Sequence, residues 1–208
     1  MHAYLTRLGI RPEIQQFFAP ACRCDENGNL IFSYGCLTEI YGLAYHLVPT
    51  ATHYWISGDE IDSTVRRIII CGSAMDAIAW LNCNSALSNV NQGLQFIAIG
   101  NSLDEQQLLM LRKQKQCCKY SLLFPKDLLG HIFDLKIASV LQGYSAKVSI
   151  SGECLEIEFR NRRFKIACED FSLSRFERLS GFRFNVKTLK PRQHVSWLRQ
   201  LEAQNFKN

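Results

Sequence analysis

Two kinds of hydrophobic spacing divide the chain. Between about Arg67 and Gln142, unbroken apolar runs alternate with stretches of helical spacing, and after Gly143 apolar and polar residues alternate in twos. Ile68, Ile69, Ile70 and Cys71 form a continuous apolar run, the mark of a strand covered on both faces. Gly72 and Ser73 interrupt it, and Met75, Ile78, Ala79 and Leu81 then recur at helical spacing. The same order returns at residues 95–113, QFIAIGNSLDEQQLLMLRK, and at 120–142, YSLLFPKDLLGHIFDLKIASVLQ. Three successive strand-turn-helix units predict a largely parallel sheet flanked by helices, with ligands at the carboxyl edge of its strands.

Upstream, Tyr4 to Phe18 predicts a short helix stopped by Gly9 and a second begun by Pro12, with Leu5, Leu8, Ile14, Phe17 and Phe18 on the buried side. A helix-turn-helix DNA reader is a poor fit, because the second helix carries Glu13, Gln15 and Gln16 and no basic residue for phosphate. The turn Asp25 to Asn29 leads into a strand at Leu30 to Tyr34, with an antiparallel partner in residues 38–47 and a further strand at His53 to Ile56. Tyr34, Tyr41, Tyr45, Tyr54 and Trp55 read as a base-stacking face or as core; the scarcity of interleaved Lys and Arg favours core. Downstream, residues 146–150, 154–159 and 163–168 predict an antiparallel meander, and Lys190-Pro191 precedes an amphipathic helix with Val195, Leu198 and Leu201 facing inward. The expected fold class is therefore α/β. A core at 65–145 sits between a small N-terminal α+β region at 1–64 and a basic meander with terminal helix at 146–208.

Composition narrows the classes. With 47% apolar and 21% charged residues the chain reads as an ordinary globular protein. It has no run of about 20 apolar residues and no signal-peptide core, so a cytoplasmic protein without membrane partners is expected. Nine cysteines, an odd number set mostly in apolar runs, suit reduced thiols; the spacing of Cys22, Cys24, Cys117 and Cys118 with His46 and His53 does not suit zinc. The net charge of +5 is uneven: from Lys147 onward 13 Lys and Arg face 7 Asp and Glu, against 11 and 12 before it. Arg160, Arg162, Arg163, Lys165, Arg183 and Lys187, with Phe171, Phe176, Phe182 and Phe184 among them, point to DNA or RNA as a partner. A solvated surface over a phenylalanine-rich core predicts the same composition.

Candidate chemistry clusters at the sheet edge. Gly72-Ser73-Ala74-Met75-Asp76 follows the first strand, Ile99-Gly100-Asn101-Ser102-Leu103-Asp104-Glu105-Gln106 the second, and Phe124-Pro125-Lys126-Asp127-Leu128-Leu129-Gly130 the third. In order and spacing, residues 68–143 resemble the Toprim domain of bacterial primases, topoisomerases and primase-like proteins of mobile elements. The Tyr-Leu-x-x-x-Gly-Ile-x-Pro-Glu pattern from Tyr4 to Glu13 resembles the segment preceding that domain. The resemblance implies a catalytic glutamate at Gly72 and the first aspartate of a metal-binding pair at Pro125, neither of which carries a carboxylate. Asp76 and Asp127 alone stand in acidic family positions, as vestigial ligands that could still share one Mg²⁺.

Further readings concern this edge and the segments around it. The backbone N–H groups of Gly72, Ser73 and Ala74 offer an anion site at a helix start. Ser73 fails the G-x-S-x-G rule of a nucleophile elbow, and no nucleotide-binding glycine motif is present. Asp59, Glu60 and Asp62 read as a solvated loop, and Ser102 with Glu105 as a capping box for a helix ending near Arg112, Lys113 and Lys115. The expectation is a catalytically degenerate, primase-related nucleic-acid binder or accessory factor in DNA replication or mobile-element processing. The alternatives are a Mg²⁺-dependent nuclease, primase or topoisomerase-like enzyme with an atypical site, and a protein-interaction module.

Overall fold

The computed structural model describes residues 2–59, 65–84, 93–113 and 118–205. Glu60, Asp62, Lys115 and Cys117, with the side chains of Arg112 and Lys113, lie outside the described residues.

The organising element is a mixed five-stranded sheet. Its centre is β6 (Arg67–Cys71), flanked in parallel by β7 (Leu94–Ala98) on one side and β8 (Lys119–Leu123) on the other. Helix α3 (Ala74–Cys83) links β6 to β7, α4 (Glu105–Lys113) carries the chain from β7 back across to β8, and α5 (Leu128–Leu141) follows β8. Strands from both flanking segments complete the sheet. β5 (Trp55–Gly58) pairs antiparallel with β7, and β12 (Lys187–Thr188) pairs parallel with β8, giving the order β12-β8-β6-β7-β5. The stretches 1–64, 65–145 and 146–208 thus each contribute at least one strand to this sheet.

Burial on both faces explains the unbroken apolar strands. Ile69 and Cys71 point into one core, with α3, α1 (Ala3–Arg7), α2 (Pro12–Phe18) and α7 (Trp197–Asn205). Ile68 and Ile70 point into the other, with α4, α5 and α6 (Leu173–Ser180). The first core is roofed by an antiparallel sheet of β1 (Arg23–Cys24), β2 (Leu30–Tyr34), β3 (Leu37–Tyr41) and β4 (His46–Leu47). The second is roofed by the meander β9 (Ala146–Ser151), β10 (Cys154–Phe159) and β11 (Arg162–Ala167).

Several side chains depart from expectation. Phe171, Phe176 and Phe184 are buried with Phe159 in the second core, so they are not available to stack bases. Val195 is 54% exposed because α7 begins only at Trp197; Leu198 and Leu201 are buried. Helix α4 is capped by Asp104, which accepts from Gln106 N–H while Gln107 Oε1 accepts from Asp104 N–H. That reciprocal arrangement stands two residues after the expected Ser102–Glu105 box. No helix among the described residues is long and apolar enough to cross a membrane.

Candidate functional site

Because α3 leaves β6 toward one face and α5 leaves β8 toward the other, a crevice is expected at the carboxyl ends of β6 and β8, the switch point of the winding. Gly72, Ser73, Pro125 and Asp127 lie on its two loops, and Asp76 in the first turn of α3. The chain fills this place with its own groups.

On the β6 side the start of α3 holds a carboxylate that comes from β3. Glu39 is fully buried. Its Oε2 accepts from Ala74 N–H at 2.8 Å and from the Tyr34 hydroxyl at 2.6 Å, and its Oε1 accepts from Met75 N–H at 3.2 Å and lies 2.8 Å from His46 Nε2. Two free amides and the positive end of the helix dipole suit an anion here. Among Gly72, Ser73 and Ala74, the Ala74 amide is therefore already taken. Burial, with Glu39 beside it, holds the Tyr34 hydroxyl well above the ordinary phenol range, so it remains a donor.

Ser73 caps the same helix. Its Oγ accepts from Asp76 N–H and donates to Asp76 Oδ2, both at 3.1 Å. The other oxygen of Asp76 accepts from Leu198 N–H at 2.9 Å, so this aspartate of α3 caps the start of α7. Burial pushes its carboxyl above the usual range; the bonds from Leu198 and Ser73 act in the opposite direction.

On the β8 side Asp127 is the N-cap of α5, its Oδ1 accepting from Gly130 N–H at 2.7 Å. Two carbonyls of this loop are met by a cation from the C-terminal segment. Lys190 Nζ donates to Phe124 O at 3.2 Å and Pro125 O at 3.0 Å, and lies 2.6 Å from Asp134 Oδ2. Burial lowers the Lys190 ammonium from its ordinary range, with Asp134 and Asp127 opposing. His131 Nδ1 is 3.6 Å from Asp134 Oδ2, and neither it nor Asp134 Oδ1 has a hydrogen-bond partner among the described residues. Lys126 N–H donates to Val195 O at 2.7 Å and completes the seal.

Asp76 and Asp127 thus cap different helices on opposite faces of the sheet and have different charged neighbours, Glu39 and His46 for one and Lys190 for the other. Among the described residues no group of three or more His, Cys, Asp or Glu is placed to hold a metal ion. A Cβ at Gly72 would make only ordinary contacts, 3.8 Å from Gly100 O and the Phe124 ring.

The basic residues fall into separate places. Arg160 and Arg162 flank the tip of the β10–β11 hairpin, whose turn residues Arg160 and Asn161 have φ of 53° and 61°. Arg160 lies over the rings of Tyr144 and Phe182 at 5.0 and 5.1 Å, and Arg162 over Phe164 at 5.0 Å. Arg163 and Lys165 stand on β11 opposite Glu158 and Glu156, which moderates their field. Arg183 pairs with Glu177 at 3.3 Å, and Lys187 sits on edge strand β12 of the other sheet.

Sequence reasoning missed Glu39, Asp134 and His131, and read Lys190 only as part of the basic C-terminal third. Glu39 carries one signal, its place two residues from Tyr41 on the buried side of an alternating strand. Compared with family models, with curated proteins and with solved structures, the chain has no match in any of the three.

Proposed function

We propose that the chain is a Toprim-like, primase-related protein whose phosphoryl-transfer edge has become structural, and that it acts as a nucleic-acid-binding accessory factor in DNA replication or mobile-element processing. The observation that carries this reading is the occupancy of the switch-point crevice. Groups that would face a phosphate or its counter-ion are bonded to Glu39, Leu198 and Lys190. A general base or metal ligand must be free to exchange partners with substrate. Binding then falls to the hairpin arginines, which belong to a different sheet from the strands of the crevice.

The test pairs two assays. Plasmid and oligonucleotides incubated with Mg²⁺ or Mn²⁺ are expected to stay uncut and unextended. Fluorescence anisotropy at 50 mM salt is expected to show binding that weakens about a hundredfold by 200 mM, as about four phosphate contacts would give. Metal-dependent cleavage that Asp127→Asn abolishes would instead establish the enzyme.

A further inference from the structure

The hairpin arginines line a concavity, and its chemistry is more specific than a basic surface. A cavity of about 200 Å³ is bounded by Phe159, Arg160, Arg162, Phe164, Ser180 and Phe182. Two of these residues are cations and none is an acid. The Arg160 guanidinium has no hydrogen-bond or ion-pair partner among the described residues, and Arg162 makes one long bond, 3.4 Å, to Ser180 O. Aromatic rings beneath both guanidiniums restrict their orientations, which lowers the entropy lost when an anion is gripped. Phe159 is buried as the floor, whereas Phe164 and Phe182 are half-buried walls and Tyr144 is 39% exposed beside them.

We infer that this cavity binds a phosphate monoester of a nucleotide, at the end of a strand or on a mononucleotide. Two guanidiniums with no neighbouring carboxylate in the lining match a group carrying close to two negative charges, whereas an internal phosphodiester carries one. A concave site also suits a terminal group, because an internal phosphate must enter with a sugar on either side. The ring walls add a surface for the adjoining base. The inference rests on the nucleic-acid reading above and restricts it to one group at one place.

The experiment compares three probes on the full chain: inorganic phosphate, a nucleoside 5′-monophosphate, and one oligonucleotide with either a 5′-phosphate or a 5′-hydroxyl. The phosphorylated oligonucleotide is expected to bind about tenfold more tightly than its hydroxyl twin, the gain of one charge-assisted site. Arg160→Gln and Arg162→Gln, both at exposed positions, are each expected to erase that difference while leaving the circular dichroism spectrum unchanged. Equal affinity for the two oligonucleotides overturns the inference and leaves the nucleic-acid reading standing. Binding of phosphate or mononucleotide alone, sensitive to both substitutions, supports the cavity and overturns the nucleic-acid reading. No binding of any probe at low salt sinks both, and a phosphate preference untouched by the two substitutions places the site elsewhere.

Discussion

The two loops of the crevice are filled by opposite charges, and they differ in how completely those charges are answered. At the start of α3, Glu39 meets four groups: two amides, a hydroxyl and an imidazole. After β8, Lys190 meets two carbonyls and Asp134, yet Asp134 Oδ1 and His131 Nδ1 lack hydrogen-bond partners among the described residues. A buried charge is stable only when its lone pairs or protons are all engaged. The first loop is therefore a lock between β3 and α3, and the second is a frustrated pair held by the C-terminal segment.

The largest expected effect is on the lock. Glu39→Ala strands four polar groups and should cost about 3–5 kcal/mol in urea unfolding; a loss under about 1 kcal/mol would break the comparison. Lys190→Met should cost about 3 kcal/mol, because it leaves the buried Asp134 without its cation. Here the double substitution Lys190→Met/Asp134→Leu sharpens the contrast. It should recover most of that loss, since replacing a frustrated pair by apolar groups is often neutral; a double variant as weak as the single one would show the pair to be well satisfied.

Two smaller effects separate the loops further. Gly130→Ala puts a Cβ 2.2 Å from Pro125 O and should cost about 2 kcal/mol, whereas Gly72→Ala meets only ordinary contacts and should change stability by less than about 0.5 kcal/mol. A tolerated Gly130→Ala in thermal melts would mean the β8 loop yields. The smallest effect is a pH dependence. Since burial raises the Asp76 carboxyl, the folded state holds its proton more firmly than the unfolded state does. The contribution is fully present below the unfolded value of about 4 and is lost as pH rises through the folded one. Relative to Asp76→Asn, the wild-type urea midpoint should thus decline from pH 4 upward; a flat difference would place the Asp76 titration at its ordinary value.

What was legible in the residues follows the same division between local pattern and distant partner. The strand at Ile68–Cys71 could be read because four consecutive apolar residues make sense only under cover on both faces, and the meander because its strands alternate strictly. Asp76 and Asp127 were legible as acids at helix starts, but their partners were not. Leu198 reaches Asp76 across 122 positions, and no local spacing records that bond. The two-residue strand β12 is too short to show a period, and β5 joins its sheet only through β7, beyond the next strand in sequence. Glu39 went unread because the amides that hold it lie 35 and 36 positions away. Helix α6 went unread although Ser172 and the left-handed Gly181 bound it, since Arg175, Glu177 and Arg178 hide its two buried residues, Leu173 and Phe176.

The span of the Asp76 bond has a consequence for how the molecule comes into being. A ribosome delivers Glu39 before α3, so the first loop can close as soon as its helix is out. Leu198 follows Asp76 only after a further 122 positions. Between those two moments the edge of the nascent sheet is half closed, and it is finished only when the segment bearing Lys190 and Leu198 has followed.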